Sequence, residues 1–242
     1  MKVAVAQINP LKGNIIANIE KHIQFIKLAI LNKADAVFFP ELSITGYEPE
    51  LAKELVVYAY DNRLDEFQNI SNTYAISIGI GVPIQFSTGI QISMIIFIPN
   101  KTRKVYSKQL LHPDELPYFV SGDQQIVHTV DNIKIVPAIC YESLQIENAQ
   151  QAHALGAEIY VASVAKPQKG IDKAENHYPF IARKYGMTVL MANCVGTCDN
   201  FLSIGKSSVW NKDGLLLGQL NETEEGILVF DSETERVFAK NI

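Results

Sequence analysis

The chain has 242 residues, 48% of them hydrophobic and 19% charged, which predicts one globular domain over residues 1–242 and excludes collagen-like and disordered chains. Its 21 lysines and arginines against 26 acidic residues give a formal charge of −5. That sign disfavours nucleic acid as a partner, because nucleic-acid phosphates are held by an excess of cationic side chains.

The first half of the chain mixes strand and helix patterns. Isoleucines recur at helical spacing after Asn14, a residue type that caps helices, and a basic segment, Lys101–Lys104, is predicted to be a solvated turn. In chain order we predict a strand over 2–8, a helix from Asn14, a buried strand over 34–39, helices over 51–60 and 64–74, strands over 75–82 and 90–98 separated by a turn region containing Pro83 and Gly89, and a strand over 105–109.

The second half begins with a loop rich in proline and glycine over 112–123. After it we predict strands over 126–130 and 133–139, a helix over 142–155, a strand over 158–164, a helix over 172–185 ended by Gly186, a strand over 187–192, and three strands between 204 and 230. Strands outnumber helices, and several adjacent strands resemble hairpins. The pattern therefore predicts an α/β protein with two sheets packed face to face and helices outside, a four-layer α-β-β-α sandwich.

The cellular setting is predicted from what the sequence lacks. The first residues do not combine a charged segment with the long apolar segment of a secretory signal, and no apolar run approaches the ~18 residues of a membrane span. Three cysteines do not suggest a disulfide framework. We therefore predict a cytoplasmic protein with reduced thiols and no membrane partner.

Common cofactor and metal motifs are also missing. The sequence has no P-loop, no H-E-x-x-H and no G-x-S-x-G. Cys194 and Cys198 form a C-x₃-C pair, but no second pair follows and the five histidines do not cluster. The sequence therefore predicts neither a metal site nor a cofactor.

Three polar residues lie where α/β proteins often place their chemistry, at the ends of predicted strands. They are Glu41, Lys108 and Cys140. Each alone has an ordinary interpretation: a strand-end cap, a surface charge and a small buried hydrophobe. A cysteine between a strand and a helix, however, is also where backbone N–H groups can stabilise a thiolate.

With their flanking residues, these three positions resemble the nitrilase superfamily of carbon–nitrogen hydrolases, in its amidase and carbamoyl-hydrolase branch. The motifs are F-P-E-L-x-x-T-G-Y at Glu41, Y-x-K-x-x-L at Lys108 and C-Y-E at Cys140, and the similarity extends over nearly the whole chain. The resemblance implies an α-β-β-α sandwich, a homodimer or higher homo-oligomer, and a Glu41-Lys108-Cys140 triad.

The resemblance also implies a second glutamate in the loop after the lysine. Glu115 matches best, although Asp114 is adjacent and a solvated acidic turn is the alternative. Tyr47 and Tyr141 are predicted to contact substrate, and Glu142 to brace the backbone or the dimer interface. Nitrile-cleaving relatives usually have Trp after the cysteine, so Tyr141 favours an amide over a nitrile.

These residues predict a thiol-dependent hydrolase of a small, non-peptide amide or N-carbamoyl compound. Cys140 would attack the carbonyl carbon and form an acyl-cysteine intermediate, and water would then release the acid after ammonia or an amine has left. Nitrile hydrolysis and acyl transfer are alternatives on the same triad. A non-catalytic binding module is the alternative from another class.

Overall fold

A computed structural model describes all residues, 1–242. The α-helices are α1 (Ile15–Leu31), α2 (Ala52–Leu55), α3 (Asp65–Tyr74), α4 (Ile146–Ala154) and α5 (Gln168–Tyr185), with 3-10 turns at Pro49–Leu51, Asn62–Leu64 and Glu142–Leu144. The strands are β1 (Lys2–Gln7), β2 (Ala36–Phe38), β3 (Ser77–Phe86), β4 (Gly89–Ile98), β5 (Lys101–Ser107), β6 (His128–Val130), β7 (Ile133–Ile139), β8 (Ile159–Val164), β9 (Thr188–Asn193), β10 (Val195–Cys198), β11 (Phe201–Ile204), β12 (Ser208–Trp210), β13 (Leu216–Gln219), β14 (Gly226–Asp231) and β15 (Arg236–Asn241).

Two large mixed sheets form the centre of the molecule. One has seven strands in the order β15-β14-β1-β2-β3-β4-β5, and the other has six in the order β13-β12-β9-β8-β7-β6. The largest apolar cluster joins side chains of both sheets, such as Val5 and Met94 with Val161 and Leu190. A second cluster packs α1 and α3 on the outer face of the seven-stranded sheet, and a third packs α4 and α5 on the six-stranded sheet. The predicted four-layer α-β-β-α sandwich is confirmed.

The long helices follow their sequence signals. The Asn14 side chain accepts a hydrogen bond from the Ala17 N–H at 3.2 Å and caps α1, and Gly186 ends α5 in a left-handed conformation. None of the five α-helices combines the length and the apolar character needed to span a lipid bilayer.

The predicted helix over 51–60 is wrong beyond Leu55. Val57 is extended, because its backbone N–H donates to the carbonyl of Pro83 and its own carbonyl accepts from Gln85. The same contact explains why Pro83 lies inside β3 rather than in a turn. Its carbonyl faces Val57 and not β4, so the missing N–H removes no hydrogen bond from the β3–β4 ladder.

Other boundaries also differ. Lys101–Lys104 is not a turn but the start of β5, and the turn is confined to Pro99 and Asn100. The predicted helix over 142–155 is divided into a 3-10 turn and α4, with extended Gln145 between them. Near the C-terminus, β10, β11 and β15 were not predicted. They are short strands, and β15 is largely exposed, so their hydrophobic pattern is weak.

Candidate active site

Glu41, Lys108 and Glu115 form a buried array of charges. The Lys108 Nζ donates to Glu41 Oε1 at 2.7 Å and to Glu115 Oε1 at 2.6 Å. All three side chains are almost completely inaccessible to solvent. An ammonium has three donors, so one N–H of Lys108 remains beyond these two carboxylates.

The sheet topology explains how the array assembles. β2, β3 and β5 run in the same direction, so their carboxyl ends lie on the same side of the seven-stranded sheet. Glu41 follows β2 and Lys108 follows β5, which places both residues at these strand ends. Gly81 of β3 passes directly beneath the turn that carries Glu41. A Cβ on Gly81 would lie 2.4 Å from the Pro40 carbonyl oxygen, so a larger residue here would displace that turn.

Cys140 directly follows β7 and lies at the carboxyl end of that strand in the six-stranded sheet. Its backbone adopts a left-handed conformation with φ +47°, which is uncommon for a residue other than glycine. The backbone N–H donates to the Ser163 carbonyl at 3.0 Å, and the Ser143 hydroxyl donates to the Cys140 carbonyl at 2.6 Å. These contacts hold Cys140 in a sharp turn, with a partly exposed side chain at the cavity described below.

The site favours a neutral thiol until a base removes its proton. Burial and, after it, the negative charge of Glu41 raise the pKa of Cys140 to about 11. The segment after Cys140 is a 3-10 turn and not the start of the predicted helix. Stabilisation of a thiolate by backbone N–H groups at this turn stays a prediction.

Glu41 has the properties of that base. Burial raises the pKa of Glu41, Lys108 opposes this rise and the charge of Glu115 adds to it, so that the pKa lies at about 7. Glu41 Oε2 is buried and has no hydrogen-bond partner in the protein. One oxygen of the carboxylate is thus fixed by Lys108, and the other is available to accept a proton.

The structure places Glu115, and not Asp114, in the array. Glu115 Oε1 also accepts from the Tyr47 hydroxyl at 2.9 Å, and Oε2 accepts from the His112 backbone N–H at 2.7 Å. The Asp114 carboxylate is exposed and contacts the His112 ring. Tyr47 therefore holds Glu115 in addition to lining the cavity.

Glu142 is a buried brace between the lysine and cysteine segments. Its carboxylate accepts from the Ile139 backbone N–H at 2.8 Å and from the Gln109 backbone N–H at 2.6 Å, and it also contacts the Tyr106 hydroxyl. Ile139 directly precedes Cys140, and Gln109 directly follows Lys108. The predicted bracing of the backbone matches these contacts.

A cavity of about 880 Å³ opens above Cys140. The predicted residues Tyr47, Glu115, Cys140 and Tyr141 all line it, whereas the buried Glu41 and Lys108 are not among its lining residues. Lys166, a buried lining residue two positions after β8, was not among the predicted site residues. A lysine directly after the mostly apolar segment Val161–Ala165 is the signal that could have identified it.

Comparisons with known structures agree with this architecture. An amidase from Nesterenkonia sp. AN1 has a TM-score of 0.87 and 23% identity, and the match covers 97% of this chain and 92% of that one. That amidase is assigned to the nitrilase superfamily, and the two proteins share its fold. A glutamine-dependent NAD+ synthetase from Acinetobacter baumannii has a TM-score of 0.84 and 25% identity over 98% of this chain and 46% of that chain.

A family model for carbon–nitrogen hydrolases matches residues 2–238, so the chain belongs to the carbon–nitrogen hydrolase family. A glutamine-dependent NAD(+) synthetase from Thermotoga maritima is 25% identical over 97% of this chain and 42% of its own length. The chain thus spans less than half the length of that relative. A nitrilase from Pyrococcus abyssi is 26% identical over 100% of this chain and 93% of its own length.

Removing the Lys108 ammonium should destabilise the protein. In Lys108→Met, two buried carboxylates lose their cation, and we expect the free energy of unfolding to fall by about 3–5 kcal/mol. The measurement is urea denaturation followed by circular dichroism. The control is Lys212→Met, which removes an exposed lysine that forms no salt bridge and should change the urea midpoint little. Equal midpoints for the two variants would contradict a stabilising role for the Lys108 array.

The three thiols should differ in reactivity. Cys140 is partly exposed at the cavity, whereas Cys194 and Cys198 are buried, so limiting iodoacetamide should label Cys140 first. Peptide mapping by mass spectrometry measures the order of labelling, and urea-unfolded protein, in which all three should react, is the control. Labelling of Cys198 before Cys140 in the folded protein would contradict this prediction.

Proposed function

We propose that this protein hydrolyses a C–N bond of a small, non-peptide amide or N-carbamoyl compound through an acyl-cysteine intermediate. The observation that carries the proposal is that Cys140 lines a substrate-sized cavity together with Glu115, which belongs to the buried array of Glu41, Lys108 and Glu115. This arrangement provides a nucleophile, a base with a free oxygen and a fixed cation in one place.

In the first step, Glu41 Oε2 takes the thiol proton and the Cys140 Sγ attacks the carbonyl carbon. The pKa of Glu41, raised to about 7, suits a group that must both accept and return a proton near neutral pH. The carbonyl oxygen becomes an oxyanion. The remaining N–H of Lys108 and the backbone N–H of Tyr141, which makes no hydrogen bond to a backbone carbonyl, are the donors that would stabilise it.

In the second step, Glu41 returns the proton to the nitrogen and the C–N bond breaks. Ammonia or an amine departs, and the acyl group remains bound to Cys140 as a thioester. A water molecule then gives a proton to Glu41 and attacks the thioester carbonyl. The C–S bond breaks, the acid leaves, and the thiol regains its proton. Glu115, bonded to both Lys108 and Tyr47, holds the lysine through these changes.

The comparisons support the amide assignment only in part. One structure of the Nesterenkonia amidase carries the acetamide moiety of fluoroacetamide at its active-site cysteine, and another holds butyramide. The synthetases are glutamine-dependent, so glutamine belongs among the amides to be tested. The Pyrococcus nitrilase keeps nitrile hydrolysis as the second candidate, and Tyr141 in the place of the usual Trp favours the amide. The single domain, the homodimer and the cytoplasmic location also remain proposals.

The decisive test is which compounds release ammonia. We expect ammonia from small amides, glutamine or N-carbamoyl amino acids, with activity retained in a chelator and lost after treatment with a thiol reagent. A coupled ammonia assay over these compounds and matched nitriles measures this preference. Hydrolysis of nitriles alone, or activity that the chelator abolishes, would overturn the proposal.

A further inference from the structure

Lys166 is a buried lysine that the steps above do not use. It follows β8 and is 3% exposed. Its backbone is fixed, because its N–H donates to Asn193 Oδ1 at 2.9 Å and its carbonyl accepts from the Ser203 hydroxyl at 3.2 Å. The Lys166 side chain packs against Gly170. A Cβ added to Gly170 would lie only 3.1 Å from the Lys166 Cβ. These contacts therefore restrict the orientation of the Lys166 side chain.

The ammonium of Lys166 points at the nucleophile. Nζ lies 3.8 Å from the Cys140 Sγ and 3.4 Å from the Cys140 carbonyl oxygen, and these are its polar contacts in the protein. It forms no ion pair, unlike Lys108, whose Nζ contacts two carboxylates. A buried cation without an anionic partner is costly, so a charge that develops beside it would be strongly favoured.

The charge balance of the proposed first step shows where such a charge develops. With a neutral thiol, the carboxylates of Glu41 and Glu115 balance the ammonium groups of Lys108 and Lys166. When the proton moves from Cys140 to Glu41, Glu115 still balances Lys108. The new negative charge on sulfur then has Lys166 as its remaining counter-ion. Without Lys166, the buried site would carry one uncompensated negative charge.

We propose that Lys166 is a second cationic catalytic residue, which stabilises the Cys140 thiolate by direct contact with Sγ. This inference rests on the proposed function, in which Cys140 is the nucleophile. Burial and Glu41 raise the pKa of the thiol, and Lys166 is the foremost of the groups that lower it. The titratable groups that interact electrostatically with the thiol are Glu41, Tyr47, Lys108, Glu115, Lys166, Tyr178 and Cys194.

The test measures the pH dependence of alkylation at Cys140 by peptide mass spectrometry, which requires no amide turnover. Lys166→Met and Lys166→Gln remove the charge, Lys166→Arg retains it, and Lys212→Met removes an exposed lysine from a remote turn as the control. With neutral iodoacetamide, we expect the Met and Gln variants to shift the midpoint to higher pH by about one unit. The Arg and Lys212 variants should remain close to the parent protein.

Iodoacetate, the anionic analogue, separates this role from substrate recognition. Slower reaction of the Met and Gln variants with iodoacetamide as well as iodoacetate supports thiolate stabilisation. An effect on iodoacetate alone would assign Lys166 to binding an anionic ligand and would overturn the inference. If the pH dependence of Cys140 alkylation by iodoacetamide were unchanged in Lys166→Gln, the inference would also be overturned, even if the parent protein releases ammonia from amides. Failure of the ammonia assay with a shifted profile would overturn the proposed function instead.

Discussion

Replacing Cys140 by alanine should abolish turnover and leave the protein folded. The substitution removes a single sulfur atom from a partly exposed residue that packs at the margin of two apolar clusters, so we expect the fold to be retained. Without the nucleophile no acyl intermediate can form, and we expect kcat to fall by roughly 10⁴-fold or more. The measurements are ammonia release on the best substrate and the thermal unfolding temperature.

The matched control is Cys198→Ala, the same chemical change at a buried thiol outside the cavity lining. It should lower the unfolding temperature somewhat and preserve turnover. If Cys140→Ala retained a substantial fraction of the parent activity while Cys198→Ala lost it, the assignment of the nucleophile would be wrong.

The second large effect is expected for Glu41→Gln. Glutamine can still accept the hydrogen bond from Lys108 but cannot take the thiol proton, so kcat/KM should fall by at least ~10²-fold. In the parent protein, Glu41 must be deprotonated to act as the base. Because burial raises the pKa of Glu41 to about 7, kcat/KM should rise with pH through this value.

Glu48→Gln is the control for Glu41→Gln. Glu48 is also a buried glutamate paired with a lysine, but its partner is the exposed Lys12 and it is not part of the array. We expect parent-like turnover and an unchanged pH profile from this variant. Near-normal kcat/KM in Glu41→Gln, with the same rise near pH 7, would refute the role of Glu41 as the base.

The sequence by itself predicted much of the chain's local structure. α1, α3 and α5 and the inner strands were predicted from helical patterns or continuous apolar runs, and Asn14 and Gly186 marked one end each of α1 and α5. The sequence was less informative where a tertiary contact replaces local preference. Val57 is extended only because the backbone of β3 is within reach, and Pro83 lies inside a strand because its carbonyl faces Val57.

The candidate site shows the same division. Short motifs at strand ends identified Glu41, Lys108 and Cys140, and the resemblance added Glu115 while leaving Asp114 open. Only the tertiary structure brings Lys108 between two carboxylates, places Glu115 rather than Asp114 against it, and points Lys166 at the sulfur. Residue type and strand position are local properties of the sequence. Burial, pKa and the pairing of charges depend on how the strand ends of the two sheets are brought together. Residues far apart in the chain therefore determine these properties jointly.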